Sequence, residues 1–285
     1  MILSMTGFGR SEGVFEGKKI TIDLKSLNSK SFDLSIKLPF RYKEKEFELR
    51  KILNDGAQRG KVDCYVNIEV LNEASQTALN EALIHTYITE LKRLAPDGPE
   101  FEYLKMALRM PDAISAKTEE LTEEEWQFII TLMGEALERF KNFRRTEGAI
   151  LEAELKRNIA NITECLSAVA PYEEVRMDSV KERYRNSLNE FDQLDETRFY
   201  QEMAYYTEKL DIAEEKVRLS QHLSYYLEVM QTEELNGKKL GFISQEIGRE
   251  INTLGSKANH AEIQKLVVKM KDELEKIKEQ TLNVL

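Results

Sequence analysis

Residues 19–27 read KITIDLKSL, with Ile20, Ile22 and Leu24 alternating against Thr21, Asp23 and Lys25. An apolar side chain at every second position is the period of a strand with one buried face. The same alternation returns in FDLSIKL (residues 32–38) and in GKVDCYVNIEVL (residues 60–71). Asn28 to Ser31 reads as a turn, and Pro39 ends the second run. Between the second and third runs, Phe47, Leu49 and Ile52 fall at helical spacing, and Asn54-Asp55-Gly56 is expected to stop that helix. The first seventy residues therefore predict a sheet with a helix inserted in it.

Further along, the pattern changes period. Residues 79–94 predict an amphipathic helix, 96–99 a loop, and 121–148 another helix, with Thr122 as cap and Glu125 at the reciprocal capping position. From about residue 149 onward only Pro171 interrupts a helical pattern. The reading is an α+β chain. Its N-terminal mixed strand and helix region is expected over 1–155, and a long, mostly α-helical region over 156–285.

The chain has 285 residues, 41% hydrophobic and 32% charged, a balance that suits elongated helices with solvated faces. Five prolines and 13 glycines exclude a collagen-like or disordered chain. Cys64 and Cys165 are far apart and in no metal-ligand spacing, so both are expected as reduced thiols. Arg10 and Glu12 interrupt any apolar stretch at the start, and no run reaches the length of a membrane span. The expected location is the cytoplasm, with no membrane partner. The net charge of −10 counts against a nucleic-acid partner unless lysines and arginines converge on one surface while the acids do other work.

Residues 211–257 offer such work for the acids. On a helix over 210–230, Asp211, Glu215, Arg218 and His222 share one arc, with Glu214 at its edge. Ile212, Leu219, Leu223, Tyr226 and Met230 form an adjacent apolar stripe. On a second helix over 240–257, Ile243, Ile247, Ile251 and Leu254 are apolar, and Glu246, Arg249, Glu250, Thr253 and Lys257 are polar. Asn236-Gly237 can turn the chain between them, and Gly255 is a possible early stop. An antiparallel pair could bring Asp211, Glu215, His222, Glu246 and Glu250 to one cleft. Hard divalent cations prefer such carboxylates, a histidine can ligate or carry a proton, and arginines can grip phosphate. Acids and bases three or four apart are also ordinary on exposed helices, where they only stabilise the helix.

Several stretches resemble one family. These are SMTGFGR (residues 4–10), Arg59-Gly60-Lys61, Arg144 with Glu147-Gly148, Asp211-Ile212-Ala213-Glu214-Glu215 with Arg218-Leu219 and His222, and GKKLGFISQEIGREINTLGSK (residues 237–257). Together they make the chain similar to YicC/YloC-family endoribonucleases. The resemblance implies metal-dependent cleavage of single-stranded or loop RNA, a Mn2+ or Mg2+ cofactor and a homohexamer. On that footing the expected metal ligands are Asp211, Glu215, Glu246, Glu250 and His222, with Glu214 supporting them. The expected catalytic residues are His222, Glu246, Glu250 and Arg218. The expected RNA contacts are Arg10, Lys30, Arg59, Lys61, Arg218, Arg249 and Lys257, with Arg41, Lys43, Lys238 and Lys239 as further candidate phosphate contacts.

One departure is the loop Asn28-Ser29-Lys30-Ser31-Phe32, where the family usually places an aromatic beside the basic residue. Here the aromatic stands one place on, which in a strand is the opposite face. Two other readings are open. A non-catalytic RNA-binding adaptor would use the acids only for helix pairing, and a helical scaffold would bind proteins and no RNA.

Overall fold

Strands β1 (Gly7–Phe15) and β2 (Lys18–Leu27) form a hairpin closed by Glu16 and Gly17, both at positive φ. Two such residues give the turn a twist that matches the flanking strands. The structure is a computed structural model and describes residues 2–29, 31–57, 59–71, 77–116, 121–188, 196–232 and 236–285, so Lys30 lies outside the described residues. Strand β3 (Asp33–Lys37) pairs in parallel with β4 (Lys61–Val70), and β4 pairs antiparallel with β2, giving the order β1-β2-β4-β3. The parallel pair needs a crossover. A 3-10 turn (Phe40–Lys45) and helix α1 (Glu46–Ala57) supply it. The helix runs through the expected stop at Asn54-Asp55-Gly56, because Leu53 and Ala57 are buried on either side of it.

β1 was not among the expected strands. Its inward positions are Gly7, Gly9, Ser11 and Gly13, so no apolar alternation marks it. A helix lies directly on this strand. A Cβ on Gly9 would stand 2.1 Å from the carbonyl oxygen of Ala136. The small residues are therefore the condition for that packing, and they hide the strand from a periodicity reading.

A small unit follows: β5 (Thr77–Leu79), α2 (Glu81–Leu94), α3 (Glu100–Ala107) and β6 (Ile114–Ala116), with β5 and β6 paired. Asn80 caps α2 by accepting from the amide of Leu83 at 3.2 Å. The loop expected over 96–99 is followed by α3, which the sequence reading did not mark.

Helix α4 (Glu123–Ser167) is 45 residues long and crosses the expected division at 155/156. Trp126, Ile129, Met133, Ala136 and Phe140 cover the sheet, and Leu155, Ile159 and Ile162 enter the helical core. Thr122 accepts from the Glu125 amide at 3.2 Å, as expected of a cap. The Glu125 carboxylate does not complete a capping box. It is buried, where it takes Tyr42 Oη at 2.6 Å, Arg41 at 2.8 Å and Lys18 at 3.4 Å.

Helices α5 (Ala170–Leu188), α6 (Glu196–Leu210), α7 (Ala213–Thr232), α8 (Gly237–Ala258) and α9 (Ala261–Thr281) complete the described chain. α7 and α8 bury the two expected stripes against each other: Ile212, Leu219, Leu223, Tyr226 and Met230 on one side, Ile243, Ile247, Ile251 and Leu254 on the other. Gly255 does not end α8. It faces Val267 of α9 instead, and α8 runs on to Ala258. No helix among the described residues is long and apolar enough to cross a membrane.

The start of the chain is knit into this helical core. Ser4 donates its amide to Arg144 O at 3.1 Å, and Met5 donates to Asn283 O at 2.8 Å. Leu285 donates to Leu3 O at 2.9 Å, and Gly237 donates to Leu285 O at 3.0 Å. The start of the chain thus joins the sheet to the C-terminal residues, and through Leu285 to the first turn of α8.

Candidate functional site on helices α7 and α8

Two contacts fix the register of α7 against α8. Lys257 Nζ lies 2.8 Å from Glu215. Farther along, the Tyr226 hydroxyl bonds Ser244, and it also shares a 2.8 Å hydrogen bond with Thr281. His222, two turns after Glu215, therefore stands level with Arg249 and Glu250, two turns before Lys257. Glu246 is three turns from Lys257, about 16 Å along the helix axis. The expected carboxylates thus form two groups along the helix pair and do not share one pocket.

The first group lies where α7 begins and α8 ends. Asp211 accepts the Ala213 amide at 2.9 Å and starts α7. Glu215 is 5% exposed, and one of its carboxylate oxygens is buried with no hydrogen-bond partner. The hydrogen bond to Glu215, with added attraction from Glu214 and Asp211, raises the Lys257 pKa above the ordinary lysine range. Glu214 itself pairs with Arg218 one turn on. Buried Arg176 holds this end in place, donating to Ala258 O at 3.2 Å and Leu210 O at 2.7 Å. Lys257 and Arg218, two expected RNA contacts, are thus both engaged by carboxylates.

The second group is Glu246, Arg249 and Glu250 on α8, with half-buried His222 level with them on α7. Glu250 is 5% exposed, yet it takes no hydrogen bond or ion pair from any described residue. Exposed Arg249 lies 3.8 Å from Glu246. The Glu250 carboxylate oxygens are not among the buried atoms left without a partner, so they reach solvent, where a cation from outside the chain can approach them. Among the described residues no three His, Cys, Asp or Glu side chains are already arranged around an ion position.

The remaining expected RNA contacts separate. Arg10 is on β1, near Glu12 at 3.9 Å and Asp23 at 3.8 Å. Lys61 is exposed at the start of β4. Arg59 is different: it lines a cavity of about 580 Å³ with Met5, Asn28, Lys238, Gly241 and Gln245. Five separate segments meet there, the last being α9 with the residues after it, and three of the five are stretches that resemble the family: the start of the chain, the approach to β4 and the first half of α8.

Arg144 builds that meeting point. Its guanidinium is buried and donates to Ala57 O at 2.6 Å, Arg59 O at 2.9 Å, Ser26 Oγ at 3.1 Å and Met5 O at 3.2 Å. Burial pulls its pKa down to about 10. The sequence reading noted Arg144 without a role. Met5, Asn28, Gly241 and Gln245 were not expected at a site, and the only sequence signal for them is that they lie in or beside stretches resembling the family.

Known proteins were compared with this chain. Its residues 2–153 match the model of the endoribonuclease YicC-like N-terminal region, and residues 169–285 match the endoribonuclease YicC-like C-terminal model. A protein named probable endoribonuclease YicC from Clostridioides difficile (strain 630) is 31% identical, with all of both chains covered. One of the same name from Haemophilus influenzae is 29% identical, again over the full length of both.

Proposed function

Because this chain belongs to the YicC-like endoribonuclease family, we propose that it is an endoribonuclease cleaving single-stranded or loop RNA with a divalent cation, Mn2+ or Mg2+, at Glu250 and Glu246. The observation that carries the placement is Glu250: a mostly buried residue on a family-like stretch, whose carboxylate reaches solvent and makes no ion pair or hydrogen bond with any described residue. The cation would neutralise charge on the phosphate and lower the pKa of a bound oxygen nucleophile. His222, level with Glu250, takes the proton from the attacking oxygen. Arg249 on the exposed face of α8 meets the phosphate. Arg218 joins it when released from Glu214. Asp211, Glu214 and Glu215 form the neighbouring acidic group, with Lys257 as their counter-charge.

We place this activity in a homohexamer in the cytoplasm, a setting in which free Cys64 and Cys165 stay reduced. Sedimentation velocity tests the assembly. The activity is tested with a labelled RNA incubated with Mn2+, with Mg2+ and with chelator. Cleavage is expected with metal and absent with chelator, and Glu250→Gln is expected to lose cleavage while still binding RNA. Cleavage retained in Glu250→Gln would remove Glu250 from the mechanism. Product end groups identify the attacking oxygen as that of water or of the 2′-hydroxyl.

A further inference from the structure

We infer that the cavity walled by Arg59, Lys238 and Gln245 is the channel that holds the RNA strand, and that Gly241 is kept free of a side chain to let the strand lie against α8. The inference rests on reading the substrate as RNA, and it adds where the strand runs.

The first observation is charge. Arg59 on the sheet side and Lys238 on α8 make no ion pair or hydrogen bond with any described residue through their side chains. Lys278 on the α9 side is already 2.7 Å from Glu275, and Glu279 also lines that wall. The available positive charge is therefore on the sheet and α8 walls. Two unengaged cations facing one concavity suit a phosphodiester backbone.

The second observation is Gly241 itself. Glycine inside a helix is less stable than alanine, so it needs a reason. Where a helix or strand packs closely, the reason is a clash. At Gly241 a Cβ would meet nothing within 4 Å, and the residue lines the cavity. The space is open in the chain itself, so the fold gives no reason for the missing side chain. A ligand that comes close to the helix backbone gives one.

The third observation is the exposed stripe of α8. Phe242 is 58% exposed, between Lys238 and Gln245 on the same helix face. An exposed aromatic ring on the helix that walls the cavity offers a face on which a base can stack. The stripe continues one turn from Gln245 to Arg249, beside Glu250. A strand leaving the cavity along α8 therefore arrives at the proposed cleavage group.

The experiment measures binding of a labelled single-stranded RNA decamer to the full chain by fluorescence anisotropy, with chelator present and across a range of salt. Gly241→Leu is expected to weaken binding roughly tenfold or more while its melting temperature does not fall. Arg59→Gln and Lys238→Gln are each expected to weaken binding, and to reduce the slope of log affinity on log salt by about 0.7 for each phosphate no longer neutralised. Gly241→Ala controls for folding and is expected to lie between wild type and Gly241→Leu in affinity. Phe242→Ala is expected to weaken binding with the salt slope unchanged. If wild type binds RNA while Gly241→Leu, Arg59→Gln and Lys238→Gln bind it with unaltered affinity and slope, the channel is wrong, whatever cleavage shows. Cleavage retained in Glu250→Gln would overturn the proposed catalytic placement and leave the channel standing. No RNA binding by wild type would overturn both.

Discussion

Replacing Arg144 by methionine tests whether one buried guanidinium holds together the segments that build the cavity. The change removes four hydrogen bonds, to Ala57 O, Arg59 O, Ser26 Oγ and Met5 O. At about 1.5 kcal/mol for each charge-assisted bond, the loss is roughly 6 kcal/mol. Removing the charge also removes its burial cost. The drop in pKa from the ordinary arginine range to about 10 corresponds to roughly 3 kcal/mol. That cost is fully present at neutral pH, because such a pH lies below both values and the group is charged whether folded or unfolded. The net destabilisation is about 3 kcal/mol, which for a chain of this size lowers the melting temperature by roughly 5 °C. Urea unfolding followed by circular dichroism measures it. Arg144→Lys is expected to recover only part, since one ammonium cannot reach four acceptors spread around a planar fork. A methionine variant within about 0.5 kcal/mol of wild type would refute the account of Arg144 as the joint. RNA binding by the folded methionine variant is a second readout, because Met5 and Arg59 both line the cavity.

Three further outcomes are expected. Glu125→Gln leaves Lys18 and Arg41 without their shared carboxylate, and should cost about 3 kcal/mol in urea unfolding. Lys257→Met removes the counter-charge of Glu215; because the folded pKa of Lys257 is raised, its stabilisation is complete below the ordinary lysine range and is lost as pH rises through the folded value. The stability gap between wild type and Lys257→Met should thus stay constant from neutral pH upward and close only at strongly alkaline pH. The Cys64 thiol is buried, which together with the charge of Asp23 pushes its pKa up to about 12; it should resist thiol reagents in the folded chain at mildly alkaline pH and react after unfolding, with mass spectrometry of the labelled peptides as the measurement.

The sequence by itself determined the classes of structure and the faces of the elements. Ile20, Ile22 and Leu24 are buried as their alternation requires. The apolar stripes of α7 and α8 face each other, as helical period dictates. Periodicity works there because each residue's direction follows from local geometry alone. It failed at β1, where Gly7, Gly9 and Gly13 replace the apolar pattern so that α4 can lie close, and at α1, where burial against α4 carried the helix through a stop signal. It also assigned Glu250 to a polar arc, while the packing of α8 between α7 and α9 leaves that residue 5% exposed.

Only the tertiary structure decided how far apart the expected ligands stand and which residues share a cavity. Helical period gives angles around an axis but no level along a neighbouring helix, so one cleft for Asp211, Glu215, Glu246 and Glu250 became two groups along the pair. Arg144 bonds Met5 and Ser26, which lie 139 and 118 residues away in sequence. Nothing local in those segments signals the contact, because the energy that joins them comes from burying one charge among acceptors that only the folded chain brings together.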